Sequence, residues 1–372
     1  MGGGCLCLIA CLAQLYACMA QLDENAPWPM SGHDLRHTAR TAAIVPRVNV
    51  SVRWSFSTGA AINFAGAAVG SNGVVYFASS DYVVYAVREE TGELLWQFST
   101  GNVVESTPAL AADGGLYVTS TNGKLYKLNA SDGSAIWSLG TGYQVTASPL
   151  ISPWGAVYFG CSDSAFWAVA SNGTLLWRTP VGDGNFFWAS MAVLDATTQT
   201  VFTAGGSTEP TWGRVHAFNA ISGREEWATP VLLNRAFSPH APEVTLQKNT
   251  LTPKLYLDPN QTECTGTPAL SADGSRLFAA CGYALSAFDT ATGALLWNFS
   301  LRGVADRSSP ALGTNGAIYL GDSSGTFYGV TPAGKQIWNA SVGAAIHSAP
   351  ALDGAGGVFF GAADGFLYAY DT

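Results

Sequence analysis

Of 372 residues, 48% are hydrophobic and only 12% are charged, about half the roughly 25% of an ordinary soluble domain, so the chain is too apolar to be disordered. Its 42 Gly and 17 Pro are spread evenly, which marks frequent turns between short segments and argues against a collagen-like or linker protein. A net charge of -9, from 26 acidic against 17 basic residues, argues against a surface that neutralises phosphates, and no nucleic acid partner is expected.

The first twenty-two residues carry no charge, and the apolar run Cys5 to Met19 ends in the small residues Cys18-Met19-Ala20, ahead of Asp23 and Glu24. Residues 1–20 therefore read as a secretory signal. The run falls short of the about 20 apolar residues of a membrane span, and no transmembrane segment is expected later. Two lipid alternatives rank below the plain signal: Leu8-Ile9-Ala10-Cys11 resembles a bacterial lipobox, and Gly2 invites myristoylation except that Leu6 stands where Ser or Thr is needed. The expected location is extracellular or the secretory lumen, or the periplasm of a bacterium. Residues 21–49 read as an N-terminal strap. His33 and His37 have metal-like spacing only if helical, and no metal is assigned to them.

Tryptophans set the register of the rest of the chain. Trp54, Trp96, Trp137, Trp177, Trp227, Trp297 and Trp338 are spaced by 42, 41, 40, 50, 70 and 41 residues, a period that marks repeats. Ala86-Val87-Arg88-Glu89-Glu90-Thr91-Gly92-Glu93-Leu94-Leu95-Trp96 is answered by Ala287-Phe288-Asp289-Thr290-Ala291-Thr292-Gly293-Ala294-Leu295-Leu296-Trp297, with variants before Trp137, Trp177, Trp227 and Trp338. Each repeat opens on a Ser/Thr-Pro step such as Thr107-Pro108-Ala109-Leu110, followed by a Gly turn, an alternating strand, a polar turn and another strand. Four short strands per repeat result.

A four-stranded repeat of this length is a propeller blade, which cannot bury both faces alone. The chain thus reads as all-β, a seven-bladed β-propeller of four-stranded antiparallel blades over residues 50–372. Blades are expected near 66–101, 106–142, 147–182, 189–233, 266–303, 308–343 and 348–372. The last repeat stops at Ala369-Tyr370-Asp371-Thr372, before its fourth strand. That strand is expected at residues 50–59, with 50–57 pairing to 366–371, which closes the ring and removes an open sheet edge.

The pattern Ala-x-Asp-x-x-Thr-Gly-x-x-x-Trp, fullest at Ala287 to Trp297, resembles the repeat of the pyrroloquinoline-quinone-like (PQQ-like) β-propeller family. The lead-in Trp28-Pro29-Met30-Ser31-Gly32-His33-Asp34-Leu35-Arg36-His37-Thr38 is similar to that family's as well, and the likeness spans about residues 27 to 372. The family includes quinoprotein dehydrogenases and the propeller lipoprotein of the bacterial outer-membrane barrel assembly machine, so it implies a fold more than a function. Eight blades are common in it. Eight is the alternative here, although Asn234 to Glu263 is short and broken by Pro.

The recurring Trp, Gly and Asp residues read as architecture, since a side chain needed once for catalysis would not recur in every blade. The variable positions are three residues before each Pro-like position, where the innermost strand enters the mouth of the channel: Phe64, Glu105, Thr146, Trp188, Thr265, Arg307 and His347. In propellers this link shares one face with the turn between second and third strands, so these residues are the candidate ligand-binding set. Two insertions fall on the same face, Ser207-Thr208-Glu209-Pro210-Thr211-Trp212 and Asn234 to Glu263.

With the signal removed, Cys161, Cys264 and Cys281 remain. Folding the hairpin about Asp273-Gly274 brings Cys264 and Cys281 within reach of a disulfide, while Cys161 is expected as a thiol. Sequons for Asn glycosylation stand at Asn49, Asn129, Asn172, Asn260, Asn298 and Asn339, of which Asn260 alone would put a glycan near the mouth.

Catalytic motifs are sparse: there is no Cys-x-x-Cys, His-Glu-x-x-His or Gly-Lys-Ser/Thr loop. Gly321-Asp322-Ser323-Ser324-Gly325 matches Gly-x-Ser-x-Gly but fills a strand turn, where a nucleophile elbow needs a strand-to-helix turn. The expected function is a secreted, noncatalytic scaffold that binds a protein or small polar ligand at the channel mouth, with no cofactor and no catalytic residue. The alternative is a quinoprotein oxidoreductase using PQQ with Ca²⁺, a reading the resemblance alone supplies. The chain has no adjacent cysteines outside the signal and no clear Glu, Asn and Asp calcium set.

Overall fold

Each repeat folds as a small antiparallel sheet whose strands follow one another in chain order, except in the fourth, where two short strands both pair with the third. The computed structural model describes residues 21–39 apart from 24 and 27, 54–62, 66–181, 185–186, 192–207, 213–230, 264–352 apart from 306, and 357–371 apart from 365. Among these there is no α-helix. The chain divides into two compact units, one of residues 1–31, 52–159 and 166–178, the other of 32–51, 160–165 and 179–372.

The first unit holds three sheets, apart from residues 160–165 and 179–180 of the third. They are β1 (Ala68–Val69), β2 (Val74–Ala78), β3 (Val83–Arg88) and β4 (Leu94–Ser99); β5 (Ala109–Leu110), β6 (Gly115–Ser120), β7 (Lys124–Asn129) and β8 (Ala135–Gly140); and β9 (Leu150–Ile151), β10 (Ala156–Cys161), β11 (Ala165–Ala170) and β12 (Leu175–Pro180). The second unit holds four. One is β13 (Asn185–Phe186), β14 (Val193–Asp195), β15 (Thr200–Ser207), β16 (Arg214–Asn219) and β17 (Glu225–Pro230), and the next is β18 (Ala269–Leu270), β19 (Arg276–Cys281), β20 (Ala284–Asp289) and β21 (Leu295–Ser300). The last two are β22 (Ala311–Leu312), β23 (Ile318–Gly321), β24 (Thr326–Val330) and β25 (Gln336–Ser341), then β26 (Ala351–Leu352), β27 (Gly357–Gly361) and β28 (Leu367–Asp371). Seven sheets among the described residues, each one repeat, make this the seven-bladed propeller that the repeats predict.

Within a blade the second and third strands are buried on both faces, whereas the fourth alternates, as in β21 and β25 with exposed residues between half-buried ones. The second strands, which the sequence suggests alternate, are thus covered on both faces, and the alternation of exposed and half-buried residues appears on the fourth strands. The repeated turn has a local cause. Asp289 Oδ1 accepts hydrogen bonds from Thr292 N (2.9 Å) and Thr292 Oγ1 (2.7 Å), and Gly293 then takes a φ of 71° that favours glycine.

The tryptophans join neighbouring blades. In the first unit Trp96 Nε1 donates to Ala130 O (2.9 Å) and Trp137 Nε1 to Ser171 O (3.0 Å). In the second, Trp227 Nε1 donates to Thr290 O (2.9 Å) and Trp297 Nε1 to Pro332 O (3.1 Å). Each indole lies over the turn glycine of the next blade and packs on an aromatic of its own second strand, with ring centroids 5.8 Å apart for Tyr76–Trp96 and 5.9 Å for Phe278–Trp297.

Two departures stand out. Strand β15 runs through Ser207, which the sequence assigns to an inserted turn, because Gly206 and Ser207 pair with Phe186 and Asn185 of β13. Residues 208–212 of that insertion lie outside the described residues. The last sheet has three strands among the described residues, and Trp54 to Phe56 fall in no named strand. The N-terminal strand expected there includes residues 50–53, which lie outside the described residues, as does the signal over 1–20.

Candidate functional site

The strap reaches the sheets through backbone hydrogen bonds to their first strands. In the first unit Trp28 exchanges two bonds with Val69 (2.8 and 3.2 Å), Pro29 O accepts from Leu110 N (2.9 Å) and Gln21 O accepts from Ala112 N (2.6 Å). In the second unit the oxygens of Leu35, Arg36, Thr38 and Ala39 accept from the amides of Leu194, Leu270, Leu312 and Leu352 at 2.8 to 3.1 Å. All these partners lie on or just past the first strand, at the end that carries the turn between first and second strands. That end is occupied by the chain itself.

The second-unit strap is held in shape by Asp34. Its Oδ1 accepts from Arg36 N (3.0 Å) and Thr38 N (3.1 Å), and its Oδ2 accepts from Thr38 Oγ1. Burial pushes the Asp34 carboxyl up, but hydrogen bonds from His33 and Thr38 outweigh it and hold the group below its ordinary value. His37 is fully buried, its Nδ1 has no hydrogen-bond partner among the described residues, and burial pushes it down to about 4. His33 and His37 have φ of 73° and 56°, so the helical spacing that would have made them metal ligands does not exist.

The opposite end carries the links between blades and the turns between second and third strands, where the sequence places its candidates. Phe64 and Trp188 lie outside the described residues. In the first unit Glu105 is half-buried and Thr146 buried. In the second unit Thr265 and Arg307 meet across two blades, Arg307 N donating to Thr265 Oγ1 at 2.9 Å, with Arg307 at a φ of 63°. His347 is exposed.

The Ser/Thr of each Ser/Thr-Pro step has a separate task. Thr107 Oγ1 accepts from Gly66 N (2.7 Å), Ser148 Oγ from Thr107 N (2.8 Å) and Ser309 Oγ from Thr267 N (2.9 Å). These hydroxyls stitch successive first strands and are framework. The Gly-x-Ser-x-Gly serine is framework too, since Ser323 Oγ accepts from Val304 N (2.9 Å) in a turn fixed by Asp322.

A feature the repeats hide is the distribution of exposed aromatics. Tyr82 (45% exposed) and Tyr143 (61%) in the first unit, and Phe366 (65%) in the second, all stand at this link and turn end. The other exposed large hydrophobics among the described residues are aliphatic: Ile62 lies in a link, Ile221 in the turn between β16 and β17, and the rest, such as Leu94, Ile136, Leu176 and Leu296, on fourth strands. Nothing in the period distinguishes Tyr82 or Tyr143 from other aromatics, so sequence reasoning missed them. Their position in turns was the available signal.

At this end of the fifth blade Cys264 and Cys281 form a disulfide, with sulfurs 2.09 Å apart. Cys161 is buried at the end of β10. The described residues contain no group of three or more His, Cys, Asp or Glu that could hold a metal ion.

Solved structures share the fold. BamB from Moraxella catarrhalis is 16% identical over 87% of this chain and 88% of its own, with a TM-score of 0.66. The quinohemoprotein alcohol dehydrogenase of Comamonas testosteroni is 17% identical over 96% and 74%, with a TM-score of 0.73. The quinohemoprotein alcohol dehydrogenase ADHIIG of Pseudomonas putida HK5 is 15% identical over 97% and 72%, with a TM-score of 0.73. At such identities the likeness shows the fold alone. No match is found among curated proteins. The family model described as outer membrane protein assembly factor BamB matches residues 51–256 and 269–372, and the chain belongs to that family of PQQ-like repeat propellers.

Proposed function

We propose that the protein is a secreted binding or scaffolding propeller whose partner, a polypeptide or a small polar ligand, docks on the ends of the blades that carry the links and the turns between second and third strands. The observation behind this reading is that the exposed aromatics among the described residues, Tyr82, Tyr143 and Phe366, all stand at those ends. Aromatics carry a disproportionate share of binding energy at protein interfaces. The strap covers the first-strand ends on the other side and leaves a partner less to contact there. In the first unit Glu105 adds hydrogen-bonding capacity at the end that carries Tyr82 and Tyr143, and in the second Arg307 and His347 do so at the end that carries Phe366. The family's described role in outer membrane protein assembly agrees with protein binding.

Residues 1–20 act as the signal in this reading, and the sequons are read by a secretory glycosylation apparatus. A quinoprotein oxidoreductase is the other reading, and it rests on likeness of fold alone.

The test is capture of partners from the secretory compartment by crosslinking, comparing wild type with Tyr82→Ser/Tyr143→Ser and with Arg307→Ala. Loss of the crosslinked species with the fold intact supports the reading; substitutions at the exposed Tyr82 and Tyr143 change stability by about 0.5 kcal/mol or less, and the melting temperature checks the half-buried Arg307. Equal capture by all three proteins overturns it.

A further inference from the structure

The fourth strand is the outer edge of each blade, and in the second unit two such edges present the same chemistry at the same register. On β21 Leu296 and Asn298 are two residues apart and share a face, as do Ile337 and Asn339 on β25. Leu296 is 46% exposed and Ile337 50%, and both asparagines are exposed. Each asparagine opens a sequon, Asn298-Phe299-Ser300 and Asn339-Ala340-Ser341. Asn298 Oδ1 accepts from Ser286 Oγ at 2.7 Å, a bond that engages the amide oxygen and not the nitrogen a glycan takes.

An edge strand with exposed aliphatic residues is a template for pairing with another chain, and proteins commonly blunt such edges with charge. In the second unit β17 follows that rule with Glu225 and Glu226, whereas β21 (Leu295–Ser300) and β25 (Gln336–Ser341) contain no charged residue. The first unit's β4 and β8 have neither charge nor a sequon on the strand, so the inference concerns two blades only.

The geometry points to N-linked glycans at Asn298 and Asn339 that cover Leu296 and Ile337 and block pairing at these two edges. This rests on the secretory route proposed above. The donor is an oligosaccharide linked to a lipid pyrophosphate. The Asn Nδ2 forms a bond to the sugar C1, the bond from C1 to the carrier oxygen breaks with its electron pair, and the carrier leaves as the lipid pyrophosphate while the amide gives up one proton. No oxidant or reductant takes part.

The experiment is secretion of the full chain from a glycosylating eukaryotic cell, with intact-mass measurement and peptide mapping. Asn298→Gln and Asn339→Gln are each expected to lose the mass of one glycan, and the double variant the mass of two. Ser300→Ala removes the first sequon while keeping the bond between Asn298 and Ser286, so it separates the glycan from the asparagine itself. The double variant, and folded wild type stripped to one sugar per site by an endoglycosidase, which leaves each asparagine uncharged, are expected to aggregate at several-fold lower protein concentration. Leu296→Lys with Ile337→Lys in the double variant should restore solubility. Unoccupied sites in the wild type, or a stripped protein as soluble as the glycosylated one, overturn the inference. Partner capture is a separate readout, so its failure would be told apart from this one.

Discussion

The indole of Trp297 lies flat over Gly334, where an added Cβ would stand 2.6 Å from the ring carbon Cδ2, and its Nε1 donates to Pro332 O at 3.1 Å. Gly334 has a φ of 77°, and so has Gly343, where an added Cβ would meet nothing within 4 Å. The pair separates two effects that a glycine usually combines. Gly343→Ala should cost only the strain of a left-handed alanine, about 1 kcal/mol. Gly334→Ala should cost that and the displacement of the indole, in total on the order of 3 kcal/mol. Denaturant midpoints of the two variants check it, and equal losses would contradict the docking role of Trp297.

Trp54 makes the same contact on the first blade. Its Nε1 donates to Glu89 O at 2.8 Å, and a Cβ on Gly92 would lie 2.7 Å from its ring. In every other described case the docking indole belongs to the fourth strand of the preceding blade, and the seventh sheet has three strands among the described residues. We therefore expect residues 50–57 to complete that sheet. Deleting 46–58 should abolish most of the cooperative melt, and Trp54→Ala should cost up to about 3 kcal/mol. An unchanged melting temperature after the deletion would remove the closure.

Acid should loosen the strap. His37 is pushed down to about 4 by burial, against an ordinary value of 6.5, so the folded chain binds fewer protons than the unfolded one between those limits. The stability it contributes is present above 6.5 and is lost as pH falls toward 4, on the order of 3 kcal/mol in all. Asp34, held below its ordinary 3.8, loses its contribution in the same direction at lower pH. Melting temperatures from pH 7 to 4.5 should fall for the wild type and fall less steeply for His37→Asn. Parallel curves would show that His37 takes up its proton equally in the folded and the unfolded chain, and that burial does not depress it.

The disulfide closes a short loop, with the cysteines 17 residues apart. Reduction, or Cys264→Ser with Cys281→Ser, should cost about 3 kcal/mol by the loop-entropy estimate. Alkylation of the native protein should leave Cys161 unmodified because it is buried. Peptide mapping that finds Cys161 in a disulfide, or a melting temperature unaffected by reductant, would contradict this.

Blade number and strand order were legible because each repeat must solve the same packing problem, and the Asp-Thr-Gly turn and the Trp that covers it are read directly from residue types. The strap's path was not legible past its existence. It is held by backbone bonds from Leu35, Arg36 and Ala39, which leave no mark on side-chain pattern. The left-handed conformations of His33, His37 and Ala39 were equally hidden, since none is a residue that φ preference would single out. At the candidate face, the link positions Glu105, Thr265 and Arg307 followed from the period, while Tyr82 and Tyr143 matter through exposure, which one sequence does not report.

The strap also sets a clock. It is synthesised before every described blade, yet Ala39 O waits for the amide of Leu352, 313 positions further along the sequence. Contacts so distant along the chain form slowly, because loop closure must precede any gain. During synthesis each finished blade can stack on the last, but the strap has no complete seat until the final one emerges. An interval therefore exists, between translation of the first blade and release of the chain, in which the inner strand ends are bare and open to a chaperone or to another nascent copy.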